Sequence, residues 1–75
     1  MNKHKREQLR EADSLLNAAK NLISSVKDRE QDDLDNFPEN LQRSDRCTAM
    51  WDAIDNLDEA IDYIDQASEC VNNAL

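Results

Sequence analysis

Two stretches of this chain carry apolar residues at alternating steps of three and four, and the only proline stands between them. In the first stretch Leu9, Ala12, Leu16, Ala19, Ile23 and Val26 keep the spacing. In the second, Cys47, Met50, Ile54, Leu57, Ile61, Ile64, Ser68, Val71 and Leu75 keep it, with Ser68 the one polar interruption. Steps of three and four place side chains on one stripe of an α-helix, as at the a and d positions of a heptad. Leu15 and Leu22 lie beside the first stripe and widen it to the breadth expected of a helix that meets more than one neighbour. Beside the second stripe Ala53, Ala60, Ala67 and Ala74 recur every seven residues. A row of alanines lets another helix approach closely, although alanine is also simply a good helix former.

The segment between the stripes explains how they are joined. Pro38 has no N–H and disfavours a helical Phe37, so the first helix is expected over about residues 5–35. A Pro turn over 36–43 follows, in which Pro38 opens a short helical turn and Phe37 and Leu41 plug the end. Ser44 is suited to cap a second helix over about 45–73, with Asp45 in its first turn. The fold class is therefore all-α: one domain over residues 1–75, an antiparallel two-helix hairpin of coiled-coil type. If the chain folds back at Glu39, residue i faces residue 78 − i. Apolar residues then meet apolar ones, and Glu30 and Asp33 come near Arg46 and Arg43. Two helices cannot cover both sides of their stripes, so two hairpins are expected to pair as a homodimeric four-helix bundle.

Composition removes most chemistry. The 75-residue chain has no glycine, and phosphate-cradling loops and nucleophile elbows depend on it. Its one histidine, His4, has no nucleophile or acid arranged around it and is expected in an unordered start. Cys47 and Cys70 fall 23 positions apart on one helix, about 35 Å, and cannot bridge within a chain. The reading is a non-enzyme without cofactor or metal site. The carboxylates Asp28, Glu30, Asp32, Asp33 and Asp35 lack the glycine-turned loop of an EF-hand and are better matched to counter-ions or arginines. No apolar run is long enough to span a bilayer and the basic start lacks a signal-peptide core, which together indicate a soluble cytoplasmic protein.

Charge supplies the candidate surfaces. Residues 1–27 carry six Lys/Arg against three acids, whereas residues 28–75 carry three Arg against fourteen acids. On the second helix Asp52, Asp55, Asp58, Glu59, Asp62, Asp65 and Glu69 place a carboxylate at nearly every turn. These acids form a candidate partner-binding face that resembles a ladder of nucleic-acid phosphates; the plainer reading is a solvated face. Asp outnumbers Glu five to two in that row although Asp is the poorer helix former, which favours a used surface. Leu15, Leu22, Trp51, Ala53, Ala60, Tyr63 and Ala67 are the candidate dimer or partner contacts. Lys3 to Arg10 could touch nucleic acid, but with a net charge of −8 direct binding would be weak.

The stretch Asp35-Asn36-Phe37-Pro38-Glu39-Asn40-Leu41-Gln42-Arg43-Ser44, followed by Ile54-Asp55-Asn56-Leu57-Asp58-Glu59-Ala60-Ile61, resembles small hypothetical proteins of bacteriophages and prophage-rich bacterial genomes. The resemblance spans residues 9–70, and the Pro-Glu turn is its distinctive part. It implies an acidic helical hairpin with no assigned site residues and a context in which such proteins bind and block a host protein. The functional expectation, which the resemblance extends to a phage-encoded context, is a protein-interaction module whose acidic face meets a basic or nucleic-acid-binding host protein. The alternative is a structural or assembly element that forms a helical bundle and has no separate ligand.

Overall fold

A computed structural model describes residues 1–41 and 44–75, and shows the expected helical hairpin. Helix α1 (Lys3–Asp35) is followed by a single 3-10 turn (Glu39–Leu41) and helix α2 (Asp45–Ala74). The two helices pack antiparallel along one another, forming a rod of 60 × 15 × 12 Å. Its radius of gyration is 17.2 Å, against about 11 Å for a compact chain of this length. No described helix is long and apolar enough to cross a membrane.

The helix ends follow from side chains that satisfy otherwise unpaired backbone groups. Asn2 caps α1 by accepting from the Lys5 N–H at 2.8 Å. The helix therefore begins at Lys3, and His4 lies inside it and not in an unordered start. At the other end the Asn36 N–H donates to the Asp32 carbonyl at 3.1 Å and the Phe37 N–H to the Leu34 carbonyl at 3.0 Å, and the Asn36 side-chain amide also donates to Asp32 O at 2.8 Å. The Pro38 carbonyl accepts from the Leu41 N–H at 2.9 Å, closing the short turn. Ser44 caps α2 as expected, its Oγ accepting from the Cys47 N–H at 3.2 Å.

Complete burial is confined to one end. Leu34, Cys47, Met50 and Ile54 form the core, with Phe37 packed on it. Two helices alone leave their shared seam open on both sides; next to the turn, Phe37 supplies the third wall. Farther away Leu9, Leu16, Ile23, Leu57, Ile61, Ile64 and Val71 are only half-buried. Leu41, expected to help plug the end, is exposed. Arg46 places its guanidinium 6.0 Å from the Phe37 ring centre, at the outer limit of a cation–π contact.

The register differs from the expected one by about a turn. Asp13 pairs with Ser68, Lys20 with Asp65 and Lys27 with Asp58, so facing positions sum to between 81 and 85. The physical reason lies in the ion pairs: Lys20 and Lys27 meet Asp65 and Asp58 at a sum of 85, which moves the fold-back past Asn40 although the helix ends are those expected. Consequently Glu30 and Asp33 do not pair with Arg46, which lies over Phe37 instead, and Arg43 lies outside the described residues.

Candidate functional site

The hydrogen-bonded pairs fix which side of the rod is which. Lys20 Nζ contacts Asp65 Oδ1 at 2.6 Å, and Lys27 Nζ contacts Asp58 seven residues away along each helix. On α1 these lysines flank one edge of the line Leu9, Leu16, Ile23 and Leu34 that meets α2. At about 100° per residue, Leu15, Ala19, Leu22 and Val26 fall on the opposite edge. On α2, Asp58 and Asp65 flank the contact on the ion-pair side, and Ala53, Ala60 and Ala67 flank it on the other. Both apolar flanks therefore share one side of the hairpin, remote from the ion pairs.

That side is open. Leu15 and Leu22 are 65% and 66% exposed, and Val26 is 38% exposed. Ala53, Ala60 and Ala67 are half-buried in the groove beside them. The contact line of α1 is rolled away from its most apolar stripe: the stems of Lys20 and Lys27, together with Asp13 and Gln31, are half-buried while Ala19 and Val26 face out. The two lysines anchor this roll, since each reaches an aspartate only when its own flank is turned towards α2.

The candidate dimer or partner contacts thus lie on more than one side of the rod. Leu15, Leu22, Ala53, Ala60 and Ala67 come together. Trp51 belongs to the seven-residue row of Asp58 and Asp65 and sits, 52% exposed, on the ion-pair side. There it borders a shallow open hollow of about 290 Å³ lined also by Leu34, Asp35 and Cys47. Tyr63 points away from α1, 60% exposed, and donates its hydroxyl to Glu59 Oε1 at 3.0 Å. Cys47 is buried, Cys70 is exposed, and both are free thiols.

The acidic row of α2 is exposed throughout and is partly engaged. Asp58 and Asp65 hold the lysines, and Glu59 accepts from Tyr63. The Asp58 carboxylate holds Lys27 above its usual pKa, outweighing a slight desolvation that lowers it. The hydrogen bond to Glu59 likewise raises the Tyr63 phenol above 10.0. Asp52, Asp55, Asp62 and Glu69 make no hydrogen bond or ion pair among the described residues. Asp55, Asp62 and Glu69 repeat at about 10.5 Å along the rod.

Among the described residues no group of three or more His, Cys, Asp or Glu could hold a metal ion. Of the acids between Asp28 and Asp35, Asp28, Asp32 and Asp35 share one exposed face of α1 at steps of four and three, and Glu30 and Asp33 are turned away from them. Sequence reasoning missed Lys20, Lys27 and Asp13 as the residues that set the hairpin's roll. The signal was present: the seven-residue spacing of the two lysines matches that of Asp58 and Asp65. No protein-family model, no curated protein and no solved structure matches this chain.

Proposed function

We propose that this hairpin is a non-catalytic protein-interaction module with two working sides. The apolar side pairs hairpins into a homodimeric four-helix bundle. The acidic side of α2 then faces outward towards a basic partner, such as a nucleic-acid-binding host protein in the cytoplasm. The observation that carries the reading is the set Asp52, Asp55, Asp62 and Glu69: four exposed carboxylates left unengaged by the contact between the helices. Such a row imposes a strong negative field along one edge of a narrow rod, and negative potential steers a positively charged protein surface onto it. Nucleic-acid mimicry is the sharp form of this reading, and the phage-like turn is consistent with a protein that blocks a host factor. Direct nucleic-acid binding by the hairpin itself is disfavoured by its net charge of −8.

The test is capture of partners from bacterial lysate by tagged protein, comparing the native chain with an Asp52→Asn, Asp55→Asn, Asp62→Asn, Glu69→Gln variant. A basic protein retained at low salt, released at high salt and lost with the variant is the expected result. Retention unaffected by salt or by the substitutions sinks the acidic-face reading. The second reading, a structural element without separate ligand, draws on the exposed apolar side alone and predicts self-assembly as the only detectable association.

A further inference from the structure

The exposed row of α1 on the apolar side is arranged symmetrically about its own middle. Leu15, Ala18, Ala19, Leu22 and Val26 occupy the centre, near residue 20. Glu11 lies nine residues before that point and Arg29 nine after it. Both are exposed, at steps of four, seven and three from their apolar neighbours, so the helical turn puts them on the same side as the leucines. Arg29 donates only to the Ser25 carbonyl of its own helix, at 3.5 Å, and neither residue forms an ion pair among the described residues. On α2 the alanine row is centred on Ala60, which the register sets opposite residues 21–25, about a turn or less from residue 20.

Building on the reading of this side as a dimer contact, we propose that its occupant is a second copy of the chain lying antiparallel, tip to tail, with α1 over α1 and α2 over α2. About a two-fold axis crossing near residues 20 and 60, Leu15 meets Val26 of the second copy and Ala19 meets its Leu22. Glu11 meets Arg29 of the second copy, and Arg29 meets its Glu11. The alanines at 53, 60 and 67 meet the partner's 67, 60 and 53, which permits the close approach of two helices.

The places of Glu11 and Arg29, equidistant from the middle of the row, select this orientation over the other two-fold arrangement. With both tips at the same end, Leu15 and Leu22 could still settle on the alanine row of the second copy. That arrangement, however, lays α1 over α2 of the second copy, so Glu11 and Arg29 no longer meet one another across the contact. The antiparallel pairing sets each basic start beside the other copy's acidic tip. Like charges held together cost free energy and complementary ones set register. A face of 60 by 15 Å is also of the size that standard interfaces cover, about 800 Å² per partner.

A spin label on Asn40→Cys in a Cys70→Ser background reads the orientation directly, because the remaining thiol, Cys47, is buried. Asn40 lies about 20 residues, roughly 30 Å, from the axis, so antiparallel pairing separates the labels by about 60 Å. Parallel pairing brings them within about 30 Å, the thickness of two stacked rods. In parallel, Glu11→Arg or Arg29→Glu alone should weaken dimerisation about tenfold at low salt, and the double substitution should restore it. A short label distance, or weakening that adds in the double variant, overturns the antiparallel arrangement and leaves the dimer standing. A folded monomer at every concentration tested overturns both.

Discussion

The two ends of the hairpin are made of similar heptad sequence and differ sharply in what they bury. Beside the turn, Leu34, Cys47, Met50 and Ile54 are all under a tenth exposed, and Phe37 closes over them. At the open end the same a and d positions, Leu9, Leu16, Ile61, Ile64 and Val71, remain half-buried, and the helices are bridged instead by Asp13–Ser68 and Lys20–Asp65. A third wall is what separates them. Two helices in contact shield a line of side chains but cannot enclose one, and burial becomes complete only where the connection adds an aromatic ring. The lesson is that a perfect heptad sets which face is apolar and not how deeply it is buried.

The comparison can be broken by truncating one isoleucine at each end. Ile54→Ala removes a 4% exposed side chain from the closed core and should cost about 3 kcal/mol, whereas Ile64→Ala should cost about 1–2 kcal/mol. Urea melts at one fixed protein concentration give both values; equal losses would mean that the open end is enclosed in solution, as a paired second copy would make it. Amide exchange sharpens the same contrast, with slow exchange near Ile54 and faster exchange near Val71 expected in the monomer.

A smaller effect should come from Lys27. Its pKa is raised in the folded hairpin by Asp58, so the contribution is complete below the ordinary lysine pKa of 10.5 and is lost as pH rises through the raised value. The urea midpoint of the native chain should therefore fall relative to that of Lys27→Met above about pH 10.5 and be parallel to it below. Coinciding slopes across that window would remove the pair from the account of the hairpin's roll. Smallest is the effect of Tyr63, whose neutral phenol is favoured by Glu59 and whose share is likewise lost at high pH. As the only tyrosine, it can be followed by absorbance: ionisation should come above pH 10.0 and return towards it in Glu59→Gln.

Much of the fold was legible before any coordinates. The stripes ending at Val26 and starting at Cys47, the proline, and Ser44 followed by Asp45 state two helices and a turn, and each is a local property: periodicity, a missing N–H, a capping oxygen. The start of α1 was placed late because Asn2 caps as well as Ser44 does. The acidic row was equally legible, since its positions follow from the helical step alone.

What the sequence by itself determined, then, is helix content, the turn and the sidedness of each helix taken singly. The tertiary structure decided the register, shifted by about one turn, and the roll that turns Lys20 and Lys27 inward and Leu15, Leu22 and Val26 outward. It also placed Trp51 on the ion-pair side and left Tyr63 pointing away from α1, apart from Leu15, Leu22 and the alanine row. The physical reason is that rotation of one helix about its axis trades apolar contact against ion pairs with its neighbour. The balance depends on distances between residues some 30 to 55 positions apart, as in Lys27–Asp58 and Asp13–Ser68, which local periodicity does not encode.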